Sequence, residues 1–252
     1  MIIRKTGKFA VFDYANDKNN NDDNNDDNND NNRDDNEKFF NELIYSEDIT
    51  YDNARDVSRD ERDQMKEGIS RYGFLTYGEI SYQSMKQIFD EIKTDLDLNS
   101  IQPNNFMLYD LGSGSGASTL AAMLQLPFKH AIGIEILVGL YEMSLKIKKA
   151  YEHFCVGKYN SKLTFLNGSI LDPWSWVEKD QPCIVFANST CFNDEMFSKI
   201  NENSILLKPG SYVVTLSIPI VTPKSRNKIK IVKELRLPMS WGESDVFIHV
   251  IT

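Results

Sequence analysis

The chain has 252 residues, 41% of them hydrophobic, enough for one sizeable core and an appendage. No apolar run approaches the roughly 18 residues that cross a bilayer. Met1-Ile2-Ile3-Arg4-Lys5 lacks the apolar centre of a secretory signal, so neither a membrane nor a secreted protein is expected. The formal charge of −9 is uneven: residues 16–36 contribute −6, with eight Asp against Lys18 and Arg33, and the rest −3. A mildly acidic domain does not advertise a nucleic-acid surface, and an anionic arm further disfavours a DNA backbone.

Residues 1–15 contain Phe9-Ala10-Val11-Phe12, a short strand or a loose arm. Residues 16–36 are almost wholly Asn and Asp, cannot bury apolar surface, and are expected to be disordered. Residues 37–98 read as a helical lead-in. Phe39, Phe40, Leu43 and Ile44 recur at helical spacing, so a short helix is expected from about Glu37. Ser58-Arg59-Asp60-Glu61 reads as a capping box opening a charged helix to about Tyr72, stopped by Gly73. Thr76-Tyr77-Gly78-Glu79 also matches a capping box. Alternatively, lying ahead of the first sheet strand, it can fold over a ligand with Glu79 facing an amino group. Met85, Ile88, Phe89 and Ile92 mark an amphipathic helix to about Leu98, and 99–105, with Pro103, is a loop.

Residues 99–252 read as the core. Strands are expected over 106–110, 131–135, 163–166, 184–187 and 212–216. Helices are expected over 117–126, 137–154, 173–177 and 194–202. The alternation predicts an α/β doubly wound parallel sheet with helices on both faces. Residues 229–237 and 245–251 are β-rich with no helical segment between them, and predict a C-terminal antiparallel hairpin.

The first strand runs into Asp110-Leu111-Gly112-Ser113-Gly114-Ser115-Gly116, a strand, a glycine turn and a helix start. Glycines let the backbone turn sharply and approach a ligand closely. Gly112, Gly114 and Ala117 satisfy the G-x-G-x-x-G/A of dinucleotide binders, whereas Gly112, Gly114 and Gly116 satisfy the G-x-G-x-G of S-adenosylmethionine binders. Glu135 ends the second strand about 20 residues later, where a carboxylate can accept both ribose hydroxyls, or else cap the next helix. The terminal hairpin favours a methyltransferase over a dehydrogenase. Gly168-Ser169-Ile170 follows the third strand, at the position that lies under the adenine in this fold. Asn188-Ser189-Thr190-Cys191-Phe192 follows the fourth, in the crevice at the strands' carboxyl ends. The run lacks the prolines of enzymes that methylate base amino groups, and no histidine lies nearby in sequence to activate Cys191. Cys155, Cys183 and Cys191 suit free thiols in a reducing compartment. His130, His153 and His249 have no metal-ligand spacing and read as structural, so no metal is expected.

Together these stretches resemble the Dot-one type (disruptor of telomeric silencing) histone-lysine methyltransferases. The resemblance rests on Tyr77-Gly78-Glu79, Phe89-Asp90-Glu91-Ile92, Asp110-Leu111-Gly112-Ser113-Gly114, Gly133-Ile134-Glu135 and Ser240-Trp241, and runs from about residue 70 to the end. It implies a class I methyltransferase fold and S-adenosylmethionine, with contacts from Tyr77, Gly78, Glu79, Asp110, Gly112, Ser113, Gly114, Gly116, Glu135, Ile136, Ser169 and Ile170. It implies Asn188 beside the methyl group, and a protein lysine, such as one on a histone, as acceptor. Chromatin-acting members reach nucleosomal DNA through basic segments. Here the nearest is 224–233, so a DNA contact is only weakly supported. Ser169-Ile170 replaces the family's Asp-Phe, Asn188-Ser189-Thr190 its Asn-Asn-Phe, and Val246-Phe247 stands near its tyrosine pair. A catalytically silent binding module is the alternative reading, with a nicotinamide dehydrogenase behind it. The expected compartment is the nucleus or the cytoplasm, with nothing to choose between them, and no oligomeric state is indicated.

Overall fold

A computed structural model describes residues 28–64, 76–99, 105–154, 161–223 and 225–252. Three helices lead: α1 (Asn28–Ser46), α2 (Tyr51–Gln64) and α3 (Tyr82–Leu98). The core follows as β1 (Met107–Leu111), α4 (Ala117–Met123), β2 (His130–Glu135), α5 (Val138–Phe154), β3 (Lys162–Asn167) and β4 (Cys183–Ala187). It ends with α6 (Asp194–Ser204), β5 (Tyr212–Leu216), β6 (Ile229–Met239) and β7 (Gly242–Ile251).

The sheet has seven strands in the order β3-β2-β1-β4-β5-β7-β6. β1 to β5 are parallel, and β7 runs antiparallel between β5 and β6. The doubly wound sheet and the terminal hairpin are as expected. Strand order reverses between β1 and β4, and ligands of open α/β sheets bind at the carboxyl ends beside such a switch. β1 is buried at every position, and its side chains alternate between two cores. Leu108 packs with Phe89, Leu120, Ile147 and Phe186 on one face; Tyr109 packs with Trp174, Val185 and Ile200 on the other. Each such side chain contributes about 1.5–3 kcal/mol.

Several expected boundaries move. α1 begins at Asn28 rather than near Glu37, so residues 28–36 of the Asn/Asp-rich segment are helical. Phe40 and Leu43 anchor this helix in the core, and Asn36 Nδ2 donates to the Leu124 carbonyl at 3.1 Å. The arm over 1–15 and residues 16–27 lie outside the described residues. Ser58 does not cap a helix: it is buried in the middle of α2, whose first turn is held by Thr50 Oγ1 accepting from Asn53 N at 3.3 Å. The expected end of that helix near Tyr72 and Gly73 lies outside the described residues. Thr76–Glu79 is no cap either, since Ser81 takes that position for α3, accepting from Ser84 N at 3.0 Å. Residues 173–177 form turns instead of a helix. The Trp174 indole there donates to the Ile170 carbonyl at 2.9 Å and stacks on Trp176 at 5.2 Å, which fixes the backbone in turns. β6 and β7 run longer than expected, leaving only Ser240-Trp241 between them.

Candidate active site

The glycine loop starts from backbone geometry. Gly112, Gly114 and Gly116 have φ of 77°, 55° and 89°, a region that costs a side-chain-bearing residue about 1 kcal/mol or more. Gly112 N and Ser113 N donate to the Ile134 carbonyl at 2.9 and 3.0 Å, tying the loop to β2. A Cβ on Gly114 would lie 2.6 Å from Tyr77 Cε2, so this glycine gives the tyrosine ring its room. Ser113 is buried, and its hydroxyl has no hydrogen-bond partner among the described residues.

Glu135, at the end of β2, is also buried. Its Oε2 accepts from Gly114 N at 2.9 Å and its Oε1 from Leu137 N at 2.8 Å, so it serves at once the glycine loop and the first turn of α5. Burial raises its pKa to about 7 against the pull of these N–H donors. Asp110 is buried one strand over, its Oδ2 accepting from Ser118 and Thr119 hydroxyls at 2.7 Å each. Burial raises its pKa to about 6, and Oδ1 has no partner among the described residues.

Residues 76–80 cross over the loop. Ile80 bridges Met239, Ser240 N donates to the Glu79 carbonyl at 3.0 Å, and Glu79 N donates to Ser240 Oγ at 3.0 Å. Asn188, just past β4, donates through Nδ2 to the Gly78 carbonyl at 2.8 Å. The Tyr77 hydroxyl donates to Glu79 Oε1 and lies 2.9 Å from Ser115 Oγ. Burial, with the adjacent Glu79 charge, holds the Tyr77 pKa well above that of a free phenol; burial likewise raises Glu79. A Cβ on Gly78 would lie 2.5 Å from the Trp241 ring, so glycine lets the indole close on the segment.

These elements enclose a cavity of about 370 Å³. Tyr77, Gly78, Glu79, Gly112, Ser113, Gly114, Glu135, Ile136, Ser169, Ile170 and Asn188 all line it. Asp110 and Gly116 do not. Asp110 Oδ2 is held by the first turn of α4, and Gly116 precedes that helix against Phe165, so both fix the shape of the loop. Val246 and Phe247 are absent from the lining, Val246 pairing with Leu216 and Leu235 in the sheet. Sequence reasoning did not name Leu140 or Met196; it placed Thr190 and Phe192 in the run after the fourth strand without assigning either a contact, and noted Trp241 only in the Ser240-Trp241 pair that carries the resemblance. Leu140 lies three residues after Leu137, a helical spacing at the start of α5 that could have found it. Trp241 lies over 50 residues beyond Asn188 and reaches the site through the Ile80–Met239 bridge and the Ser240–Glu79 hydrogen bonds. Among the described residues no cluster of His, Cys, Asp or Glu could hold a metal ion, and no helix is long and apolar enough to cross a membrane.

Strand order, glycine loop and the acid ending β2 together define a class I S-adenosylmethionine-dependent methyltransferase. The sequence model described as "Histone methylation protein DOT1" matches residues 64–238, and the chain belongs to that family. No curated protein matches the chain. Among solved structures, it is similar to the magnesium protoporphyrin IX methyltransferase of Synechocystis PCC 6803 with bound SAH. Identity is 12%, coverage 81% of this chain and 99% of that one, and the TM-score 0.47. A SAM-dependent methyltransferase from Methanosarcina mazei is similar at 13% identity over 62% and 96%, TM-score 0.47. The B. subtilis tRNA methyltransferase TrmK is similar at 14% over 69% and 67%, TM-score 0.46.

The cofactor fits what the cavity presents. Ser113 offers a buried hydroxyl without a partner among the described residues, and the glycines leave a cradle that side chains would fill. Glu79 and Glu135 place carboxylates in the lining, complementary to a cationic sulfonium and to ribose hydroxyls.

Proposed function

We propose that the chain methylates a protein lysine, and that this cavity holds the cofactor. Glu135 would take the ribose hydroxyls, Gly112–Gly114 the methionine portion, and Ser169 with Ile170 the adenine. Tyr77, Gly78 and Glu79 would cover it, Glu79 facing its amino group, with Ile136 at the ribose edge. Once bound, S-adenosylmethionine supplies a methyl group on an electrophilic sulfonium.

The observation that carries the reading is the Asn188 Nδ2 bond to the Gly78 carbonyl. It joins the carboxyl end of β4 to the covering segment and leaves Asn188 Oδ1 as an acceptor. An amine approaching between Asn188, Thr190 and Trp241 would donate a hydrogen to that oxygen, which orients its lone pair in line with the transfer. Trp241 and Ile80 line this side of the cavity and would shield an amine there from water, which would favour the neutral, nucleophilic amine over the ammonium.

A histone is the first acceptor to test, by family membership. Ion pairs weaken the case for a DNA contact: Lys233 is paired with Glu91, and Arg236 with Glu243 and Asp245. Arg226, Lys228 and Lys230 are exposed without a carboxylate partner among the described residues. The test is label transfer from tritiated S-adenosylmethionine to nucleosomes, free histones and a cytosolic extract in parallel. Label on a lysine, lost by about 100-fold or more in Asn188→Ala that still binds S-adenosylhomocysteine, is the expected result. Label on any other acceptor group overturns the lysine reading.

A further inference from the structure

α2 touches both walls of the cavity without lining it. On one wall, the first turn of α5 has backbone N–H groups that need acceptors. Glu135 takes that of Leu137. Glu61, from α2, takes the next pair: Val138 N donates to Oε1 and Gly139 N to Oε2, at 2.8 Å each. Gly139 allows this approach, since a Cβ there would lie 2.6 Å from Val57 Cγ1 of α2. Directly before these residues, Glu135, Ile136 and Leu137 line the cavity. On the other wall, the Tyr51 ring of α2 stacks on Tyr77, with centroids 6.0 Å apart and planes 24° from parallel. Tyr77 in turn lies against Gly114. Arg62 Nη1 also reaches Thr76 Oγ1, at 3.5 Å.

We propose that α2 is a clasp on the cofactor cavity: Glu61 at the α5 wall and Tyr51 at the Tyr77 wall hold its two sides at the spacing the cofactor needs. Both are positioning residues, acting through α5 and Tyr77. The physical reason lies in the division of carboxylates at α5. With Glu61 in place, Val138 and Gly139 are satisfied and Glu135 keeps its outer lone pairs for ribose. Without it, those N–H groups compete for Glu135 and draw it onto the helix end. Without Tyr51, Tyr77 loses its outer support and can swing from the glycine loop. The inference rests on this cavity being the cofactor site.

The experiment titrates S-adenosylhomocysteine calorimetrically into wild type, Glu61→Gln, Tyr51→Ala, their double variant, Glu135→Gln and Leu96→Ala. Leu96 is buried in the last turns of α3 and does not line the cavity, so it controls for general destabilisation. Expected is a Kd raised about five- to tenfold in each α2 single variant. The double variant should be scarcely weaker than the worse single, because releasing one end releases the clasp. Leu96→Ala should lower Tm with Kd unchanged. Where Glu61→Gln fails to fold, Glu61→Asp replaces it, with an intermediate Kd expected. Either single variant within twofold of wild type overturns the clasp, as do fully multiplicative effects or an equal loss in Leu96→Ala. Glu135→Gln binding as tightly as wild type would show instead that this cavity is not the cofactor site, and the clasp would fall with that reading.

Discussion

Glu135 spends both carboxylate oxygens on backbone N–H groups and still holds a raised pKa near 7, because burial outweighs the donors. Its charged form is what ribose hydroxyls and a sulfonium favour. In the free protein that form is lost as pH falls through 7, so cofactor affinity should fall up to about tenfold per pH unit below 7. The sign for stability is opposite. A carboxyl raised from 4.5 contributes fully below pH 4.5, and that contribution is lost as pH rises through about 7. Titrating S-adenosylhomocysteine between pH 8 and 5.5 checks the first statement, with Glu135→Gln expected to lose the part of the dependence centred near 7. Gly114 gives a second prediction at this scale. With φ of 55° and Tyr77 at 2.6 Å from its virtual Cβ, Gly114→Ala should raise Kd at least about tenfold while the protein stays folded. Unchanged binding would mean that the Tyr77 ring is not part of the cofactor enclosure.

Among the elements, the turn segment after β3 is where a single indole replaces a helix. Trp174 donates to the Ile170 carbonyl, and Ile170 lines the cavity. Trp174→Phe keeps most of the buried ring but strands that carbonyl, which should cost about 1–2 kcal/mol in urea unfolding. Ile170 then loses its fixed position, so KM for the cofactor should rise with kcat nearly unchanged. A drop in kcat alone would place this segment at the acceptor instead. The 76–80 segment is the contrasting case. Its pattern allowed a capping box, yet Ser81 provides the cap, and the segment pairs with the end of β6 through Ile80 and Met239.

Across the whole molecule, His249 ties the loop after β5 to the sheet. It is fully buried on β7, with Nδ1 2.8 Å from the Val213 carbonyl and Nε2 accepting from Ile220 N at 3.3 Å. Burial lowers its pKa from 6.5 to about 4, so the fold holds it neutral. A histidine lowered in the fold contributes fully above the unfolded pKa of 6.5, and the contribution is lost as pH falls towards 4. The shift corresponds to about 3 kcal/mol. The stability gap between wild type and His249→Leu, from urea unfolding, should therefore be wide at pH 7.5 and narrow by pH 4.5. An equal gap at both would mean that the histidine does not titrate across the transition.

Much of this protein was legible in the sequence, for local reasons. Apolar runs alternating with helical spacing gave a doubly wound sheet ending in a hairpin. Gly112, Gly114 and Gly116 announced a turn that only glycine takes at low cost. Glu135 and Asn188 stood at strand ends, where open sheets bind ligands. What the tertiary structure alone decided are contacts between segments far apart in the chain. Asp110 stays out of the cavity lining, and its Oδ2 accepts from the Ser118 and Thr119 hydroxyls at the start of α4. Ser58-Arg59-Asp60-Glu61 carries a capping signal, but Glu61 caps α5, nearly eighty residues on, because α2 packs there against Gly139. Trp241 closes on Gly78 only once the hairpin has folded back beside the covering segment. A local pattern shows that a carboxylate or an indole is available; the packing of distant elements selects its partner.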